Sequence, residues 1–299
     1  MMKRDFLALT DLSLLDARRV LDLARTLKKE PKGTRIHELE GRAIAVIFEK
    51  PSTRTRVSFE VGIAQLGAHP VILDTQTSQL GRGEPLKDTA RVLSGYCDAI
   101  VYRTFGDERL HELAEFASVP VVNALSDGGH PVQVLSDVLT AEEALGKSIA
   151  GDRVAWIGDG SSNMARSWIE AATLFDFQLV IAAPEEYRPP IKDRDRATFV
   201  SDPREAVRGA RVINTDVWTS MGQDAERAAR LKALAPFGVT PALLAEAPKD
   251  AVVLHCLPAH RGEEIDDDVI EGPQSRVWDQ AENRLHVQKA LLLFLLGKA

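Results

Sequence analysis

Ala43-Ile44-Ala45-Val46-Ile47-Phe48-Glu49-Lys50-Pro51-Ser52-Thr53-Arg54-Thr55-Arg56-Val57-Ser58-Phe59-Glu60 is the stretch from which the fold is read. Its first six residues are an unbroken apolar run, as expected of a parallel-sheet strand covered on both faces. Beyond the turn, Val57, Phe59, Val61, Ile63, Ala64 and Leu66 recur at spacings a packed helix uses. A proline, small hydroxyl residues and two arginines lie between, with Ser52 or Thr53 placed to cap the helix. Unpaired N–H groups at a helix start point outward, and the helix dipole favours negative charge there. Hydroxyls and guanidinium groups around those amides make a cradle suited to a phosphate. The glycines and the Gly-Lys-Ser/Thr ending of a P-loop are absent.

Further strands are expected at 71–73, 99–103, 119–123, 154–157, 179–183, 212–215 and 252–256, most of them separated by helical stretches. Strand–helix alternation predicts an α/β fold: two doubly wound domains with parallel sheets and right-handed crossovers. Asp11 is expected to cap a first helix with apolar residues from Leu12 to Leu27. Residues 74–85 read as a mobile polar loop, and 184–201 as a loop. Residues 146–151 read as a junction. The last helix, expected over 282–296, is nearly all apolar in its second half, so burial on most sides is expected, with packing back on the first domain.

The 299 residues suffice for two α/β domains, and 44% hydrophobic with 27% charged residues is a globular balance. The net charge of −7 argues against a nucleic-acid surface. Two cysteines, Cys97 and Cys256, make no disulfide framework and suit a reducing compartment. Acidic residues interrupt any apolar core of a signal peptide, and the longest apolar stretch is too short for a membrane span. A cytoplasmic protein is expected.

Polar groups cluster where strands end: 52–56, Arg103, His130 with Gln133, Asn163, Asp216, and His255-Cys256-Leu257-Pro258. In an open α/β sheet, ligands bind at that end. His130 and Gln133 are one helical turn apart and can hydrogen-bond a carbonyl and an amide. Asp216 suits an ammonium. Each has an ordinary structural reading too: Arg103 a surface ion pair, Asn163 an N-cap, Asp216 a turn cap, Cys256 a small buried hydrophobe. Gly158-Asp159-Gly160 does not continue as a dinucleotide fingerprint. No His/Cys/Asp set has zinc spacing, since adjacent His255 and Cys256 would point to opposite faces of a strand.

Four motifs, Phe48-Glu49-Lys50-Pro51-Ser52-Thr53-Arg54-Thr55-Arg56, His130-Pro131-Val132-Gln133, Asp216-Val217-Trp218-Thr219-Ser220-Met221-Gly222 and His255-Cys256-Leu257-Pro258-Ala259-His260-Arg261-Gly262, occur in one order. Together they resemble the signatures of the ornithine carbamoyltransferase family over essentially the whole chain; the first is shared with aspartate carbamoyltransferases. The resemblance implies a carbamoyl-phosphate domain (1–136 and 282–299) and an ornithine domain (137–281). It also implies assembly as a homotrimer or a multiple of trimers, and no metal or organic cofactor. The implied carbamoyl-phosphate residues are Ser52, Thr53, Arg54, Thr55, Arg103, His130, Gln133, Cys256, Leu257 and Arg284. Gln79 is implied to reach the phosphate of a neighbouring subunit. Asn163, Asp216, Ser220 and Met221 match ornithine-binding positions. Arg103, His130, Cys256 and Asp216 are the implied catalytic set. The implied reaction yields citrulline and phosphate, in arginine biosynthesis or catabolism. The chain departs from the family's commoner pattern at Ser161-Ser162, at Arg166, at Asp127-Gly128-Gly129 and in the short stretch 184–201.

Three other readings stand beside this one. A related carbamoyltransferase would use acetylornithine, putrescine or aspartate as acceptor. A catalytically silent homologue would not need Arg54, Arg103, His130 and Cys256 together. A nicotinamide oxidoreductase would need the missing glycine fingerprint.

Overall fold

The computed structural model describes residues 3–75, 83–189, 196–219 and 226–299. The chain divides into two compact units, Met1–Ser136 with Glu282–Ala299, and Asp137–Ala281. The divisions fall inside two helices, α5 (Pro131–Leu145) and α11 (Val277–Leu295).

In the first unit, β1 (Ala43–Phe48), β2 (His69–Asp74), β3 (Ala99–Arg103) and β4 (Val121–Leu125) form a parallel sheet in the order β2-β1-β3-β4. Ile44 through Ile47 are fully buried, as a strand covered on both faces requires. Among the described residues this part of the chain also holds α1 (Leu14–Lys28), α2 (Thr53–Gln65), α3 (Leu86–Tyr96) and α4 (Asp107–Phe116). Helix α2 buries Phe59, Gly62 and Ile63 but leaves Val57 and Val61 exposed. The face is therefore narrower than its apolar content suggests. Gly62 is where α11 crosses closely, since a Cβ there would lie 3.2 Å from Lys289 Cγ and 3.3 Å from Leu285 Cδ1. Lys289 Nζ also donates to Gln65 Oε1 at 2.9 Å. The apolar end of α11, Ala290 through Leu295, is buried.

In the second unit, β5 (Arg153–Ile157), β6 (Gln178–Ala182), β7 (Thr198–Val200), β8 (Ala210–Thr215) and β9 (Val252–His255) form a parallel sheet in the order β7-β6-β5-β8-β9. Helices α6 (Asn163–Phe175), α7 (Pro203–Val207), α8 (Arg227–Leu234), α9 (Pro241–Leu244) and α10 (Asp267–Ile270) accompany it. Ile157, Val180, Ile213, Phe237, Val253 and Ile265 belong to one buried cluster.

Several local expectations are corrected. Ser13, not Asp11, caps α1, accepting from Asp16 N at 3.1 Å; Asp11 instead accepts from Leu7 N and Ala8 N in a short 3₁₀ turn. Leu14 and Leu15 are exposed, because the buried stripe is Ala17, Val20, Leu21, Ala24 and Leu27. The stretch expected to be loop over 184–201 contains the 3₁₀ turn Glu185–Tyr187 and the edge strand β7. Its Thr-Phe-Val is too short to announce itself, and pairing with β6 decides it. Residues 76–82, in the expected mobile loop, lie outside the described residues. Among the described residues, no helix is long and apolar enough to cross a membrane.

Candidate active site

Strand order locates the crevices. In the first sheet the chain moves from β1 outward to β2, then returns to place β3 on β1's other side. The switch point therefore lies at the C-terminal ends of β1 and β3, where loops leave in opposite directions and open a cleft. The second sheet reverses between β5 and β8 in the same way.

At the first switch point, β1 runs into Ser52, the N-cap of α2, whose side chain accepts from Thr55 N at 3.3 Å. Thr53 is exposed, Arg54 is half-buried and Thr55 is buried. Arg284, on α11, donates from Nη2 to Thr55 Oγ1 at 2.7 Å. Arg103 is the last residue of β3, in register with Phe48, and its carbonyl accepts from Glu49 N at 2.9 Å. His130 precedes α5; its carbonyl accepts from Gln133 N at 3.1 Å, so the two share one turn.

Burial is the main reason the His130 imidazole is held well below its ordinary value of 6.5, and the charges of Arg284 and Arg103 push it the same way. His130 is thus a neutral ring beside two cations, a hydrogen-bonding group that adds no charge of its own. Arg103, Arg284 and His130 are all at least nine-tenths buried. A buried, positively charged group of side chains of this composition is suited to an oxyanion or a phosphate.

The loops behind it are fixed by charge pairs. Glu49 faces Arg109 and accepts from Thr104 Oγ1. Burial alone would raise the Glu49 carboxyl, but those hydrogen bonds outweigh it and hold it below its ordinary range. Lys50 pairs with Asp127 and lies 4.4 Å from the Phe105 ring centroid. Gly128 N donates to Asp107 Oδ1 at 2.9 Å, and a Cβ on Gly128 would lie 2.0 Å from Asp107 Oδ2. The carboxylate closes on the bare backbone of Gly128, so a side chain there would push it aside.

At the second switch point, Ser162 caps α6, accepting from Ala165 N at 3.2 Å. Asn163 is therefore the first helical residue, not the cap. Ser161 donates through Oγ to Asp159 Oδ1 at 2.6 Å. The other oxygen of Asp159 pairs with Arg230 of α8, whose Nε donates to the Trp218 carbonyl at 2.5 Å. This buried pair ties the turn after β5 to the segment after β8.

Asp216 directly follows β8. Its Oδ1 accepts from Val217 N at 2.8 Å and from Cys256 Sγ at 3.0 Å. Burial is the main reason its carboxyl is raised above the ordinary value, against a lowering by His255 and Cys256. Cys256 is the first residue beyond β9, and Leu257, at φ +56°, turns the chain sharply. Strand alternation stops there, so the expectation that His255 and Cys256 face opposite ways is corrected: one ligand atom from each of Asp216, His255 and Cys256 falls within 4.8 Å of the others. His255 Nδ1 accepts from Leu257 N at 2.9 Å, so its proton lies on Nε2, which faces Glu264 Oε1 at 3.2 Å.

The structure thus gathers Thr55, Arg103, His130 and Arg284, with Ser52 and Gln133 adjoining, in one unit. It gathers Asp216 and Cys256, with Leu257 next in sequence, in the other. Gln79, Ser220 and Met221 lie outside the described residues. Glu264, Arg230, Asp159 and Arg109 were not expected as supports from the sequence.

Comparison with known proteins gives the family of the chain. The family model described as aspartate/ornithine carbamoyltransferase, carbamoyl-P binding domain, matches residues 4–143, and that of the Asp/Orn binding domain matches residues 150–295. The chain belongs to the aspartate/ornithine carbamoyltransferase family. Within this family it is 64% identical to the ornithine carbamoyltransferase of Sorangium cellulosum, covering 99% of each chain. It is 55% identical to that of Pelobacter propionicus, again covering 99% of each. Among solved structures, ornithine carbamoyltransferase from Pyrococcus furiosus superimposes with a TM-score of 0.94 at 46% identity, over 99% of this chain and 98% of that one. The enzyme from Thermus thermophilus gives 0.91 at 42%, over 99% and 100%.

Proposed function

We propose that the chain is a carbamoyltransferase that moves the carbamoyl group of carbamoyl phosphate to the δ-amine of L-ornithine, releasing L-citrulline and phosphate. The observation that carries the reading is the neutral His130 buried beside Arg103 and Arg284 at the first switch point. Such a pocket accepts a phosphate and polarises a carbonyl without proton transfer. Ser52, Thr53, Arg54 and Thr55 are assigned to the phosphate, and Arg103, His130, Gln133 and Arg284 to the carbamoyl group. Gln79 is assigned to the phosphate of a neighbouring copy. Asn163, Asp216, Ser220 and Met221 are assigned to ornithine, with Cys256 and Leu257 beside the reacting centre.

The amine of a lysine-like side chain titrates near 10.4, so presenting it neutral at pH 7 costs about 4–5 kcal/mol. A water-poor site lined with arginines lowers that cost. The neutral nitrogen attacks the carbamoyl carbon, the developing oxyanion is held by Arg103, His130 and Thr55, and the C–O bond to phosphate breaks. The phosphate leaves with the bonding pair and takes up the proton that the nitrogen loses. Asp216 pairs with the α-ammonium of ornithine, a role consistent with a carboxylate whose one described side-chain donor is the Cys256 thiol.

The two family domains carry the names carbamoyl-P and Asp/Orn binding; we assign residues 1–136 with 282–299, and 137–281, to those roles. A homotrimer, or a multiple of trimers, is part of the same reading. Val57, Val61, Val92 and Tyr96, apolar and exposed on α2 and α3, support a surface for a second copy. A cytoplasmic site of action fits two cysteines, Cys97 and Cys256, that form no disulfide.

The test is an acceptor panel: carbamoyl phosphate with ornithine, acetylornithine, putrescine or aspartate, following phosphate release and carbamoylated product. Citrulline from ornithine alone is expected. Turnover with another acceptor overturns the Asp216 assignment and keeps the phosphate site; carbamoyl phosphate binding with no turnover moves the chain to the silent-homologue reading.

A further inference from the structure

Downstream of Cys256, the segment His260-Arg261-Gly262-Glu263-Glu264 turns back on β9. Glu264 is fully buried, and its Oε1 is fully engaged, accepting from His260 N at 2.6 Å and facing His255 Nε2 at 3.2 Å. Glu263 likewise commits Oε1, to Arg227 of α8. The second oxygen of each glutamate is different. Glu263 Oε2, Glu264 Oε2 and His260 Nδ1 are all buried atoms with no hydrogen-bond partner. They face one another: His260 Nδ1 lies 3.7 Å from Glu263 Oε2 and 3.7 Å from Glu264 Oε2. One ligand atom from each of the three residues falls within 4.8 Å of the others.

Three orphaned polar atoms converging on one point are unfavourable unless something joins them. A proton on Nδ1 makes His260 an ion-pair partner of both carboxylates at 3.7 Å but gives neither of them a hydrogen bond, since that distance exceeds hydrogen-bond reach. The spacing is close to that of ligands around one ion. Two atoms each bound at about 2.1 Å to a tetrahedral centre are about 3.4 Å apart.

The charge agrees as well. Of the two carboxylates, Glu263 pairs with the Arg227 guanidinium and Glu264 faces His255, so an acidic lining remains for a cation to meet. We propose that His260, Glu263 and Glu264 form a binding site for a divalent transition metal of the zinc class, with one imidazole nitrogen, two carboxylate oxygens and a fourth position for water. The His260 and Glu263 side chains are 41% and 24% exposed, so the ion can enter from solvent. Bound there, it fastens the turn after Cys256 to the Glu264 that orients His255.

The rival location is the Asp216, His255 and Cys256 group, and the test separates the two by the thiol. The full chain carrying Cys256→Ser is titrated with Co²⁺ and read by equilibrium dialysis and visible absorption. One equivalent is expected, with ligand-field bands and no thiolate charge transfer. His260→Ala and Glu263→Gln, each in the same background, should weaken binding at least 10-fold, with His260→Asn replacing the alanine variant if that one does not fold. Absence of binding, disappearance of binding in Cys256→Ser alone, or an unchanged affinity in either the His260 or the Glu263 variant overturns the site. These readouts use no substrate, so they stand or fall apart from the acceptor panel.

Discussion

Replacing Arg284 with methionine keeps most of the side chain's bulk and removes its charge, and two consequences can be worked out separately. The first is the hydrogen bond to Thr55 Oγ1 at 2.7 Å. A bond to a charged group contributes about 1.5–3 kcal/mol, a factor of about 10–150. Thr55 is 1% exposed, so water does not replace the lost donor. In a cycle with Thr55→Val, the two substitutions should therefore fail to add in kcat/KM for carbamoyl phosphate, with a coupling of about 1 kcal/mol or more. The second concerns His130, which is held low first by burial and next by Arg284. Without the guanidinium its imidazole should titrate closer to 6.5, while Arg103 and burial still hold it below that value. Imidazole chemical shifts followed against pH in the folded protein report this directly. An additive cycle together with an unmoved His130 titration would refute the reasoning, since it would mean that Arg284 acts on neither neighbour.

The remaining expectations concern stability. The folded His130 binds its proton less readily than the unfolded chain does, so stability is lost as the pH falls below 6.5, by up to about 1.4 kcal/mol per pH unit until the depressed folded value is passed. Urea melts between pH 7.5 and 5.5 should show this extra slope in the parent and not in His130→Asn. Arg230 and Asp159 are both buried, so Arg230→Met leaves a lone carboxylate and should cost about 3–5 kcal/mol; adding Asp159→Asn should restore part of that, read by chemical denaturation. Gly128→Ala pushes the Asp107 carboxylate aside and breaks its hydrogen bond from Gly128 N, which should lower stability by about 0.5–1.5 kcal/mol, with little further loss on adding Asp107→Ala. Asp216→Asn should raise KM for ornithine while leaving carbamoyl phosphate binding near the parent value, as measured by steady-state kinetics and direct titration.

The parallel strands were legible because complete burial needs unbroken apolar runs such as 43–48 and 252–254, and no partner has to be known to see them. The cap at Ser52 was legible too, because the hydroxyl and the amide it serves are three residues apart. Local features misled where two readings compete at short range. Asp11 and Ser13 are both good caps, and the chain uses Ser13. Thr198-Phe199-Val200 is a strand because β6 offers an edge.

The sequence by itself determined the alternation of strands and helices, the placement of polar residues at strand ends and the signature motifs of the family, since each depends on neighbours within a few residues. Only the tertiary structure decided which of those ends share a switch point. It set Arg284 on Thr55 across 229 positions, Arg230 on Asp159 across 71 and Cys256 on Asp216 across 40. It also turned His260, Glu263 and Glu264 from a polar run into three facing atoms that make no hydrogen bond. Hydrogen bonds and charge act over a few ångströms of space, and separation along the chain does not encode that distance until the sheets have formed.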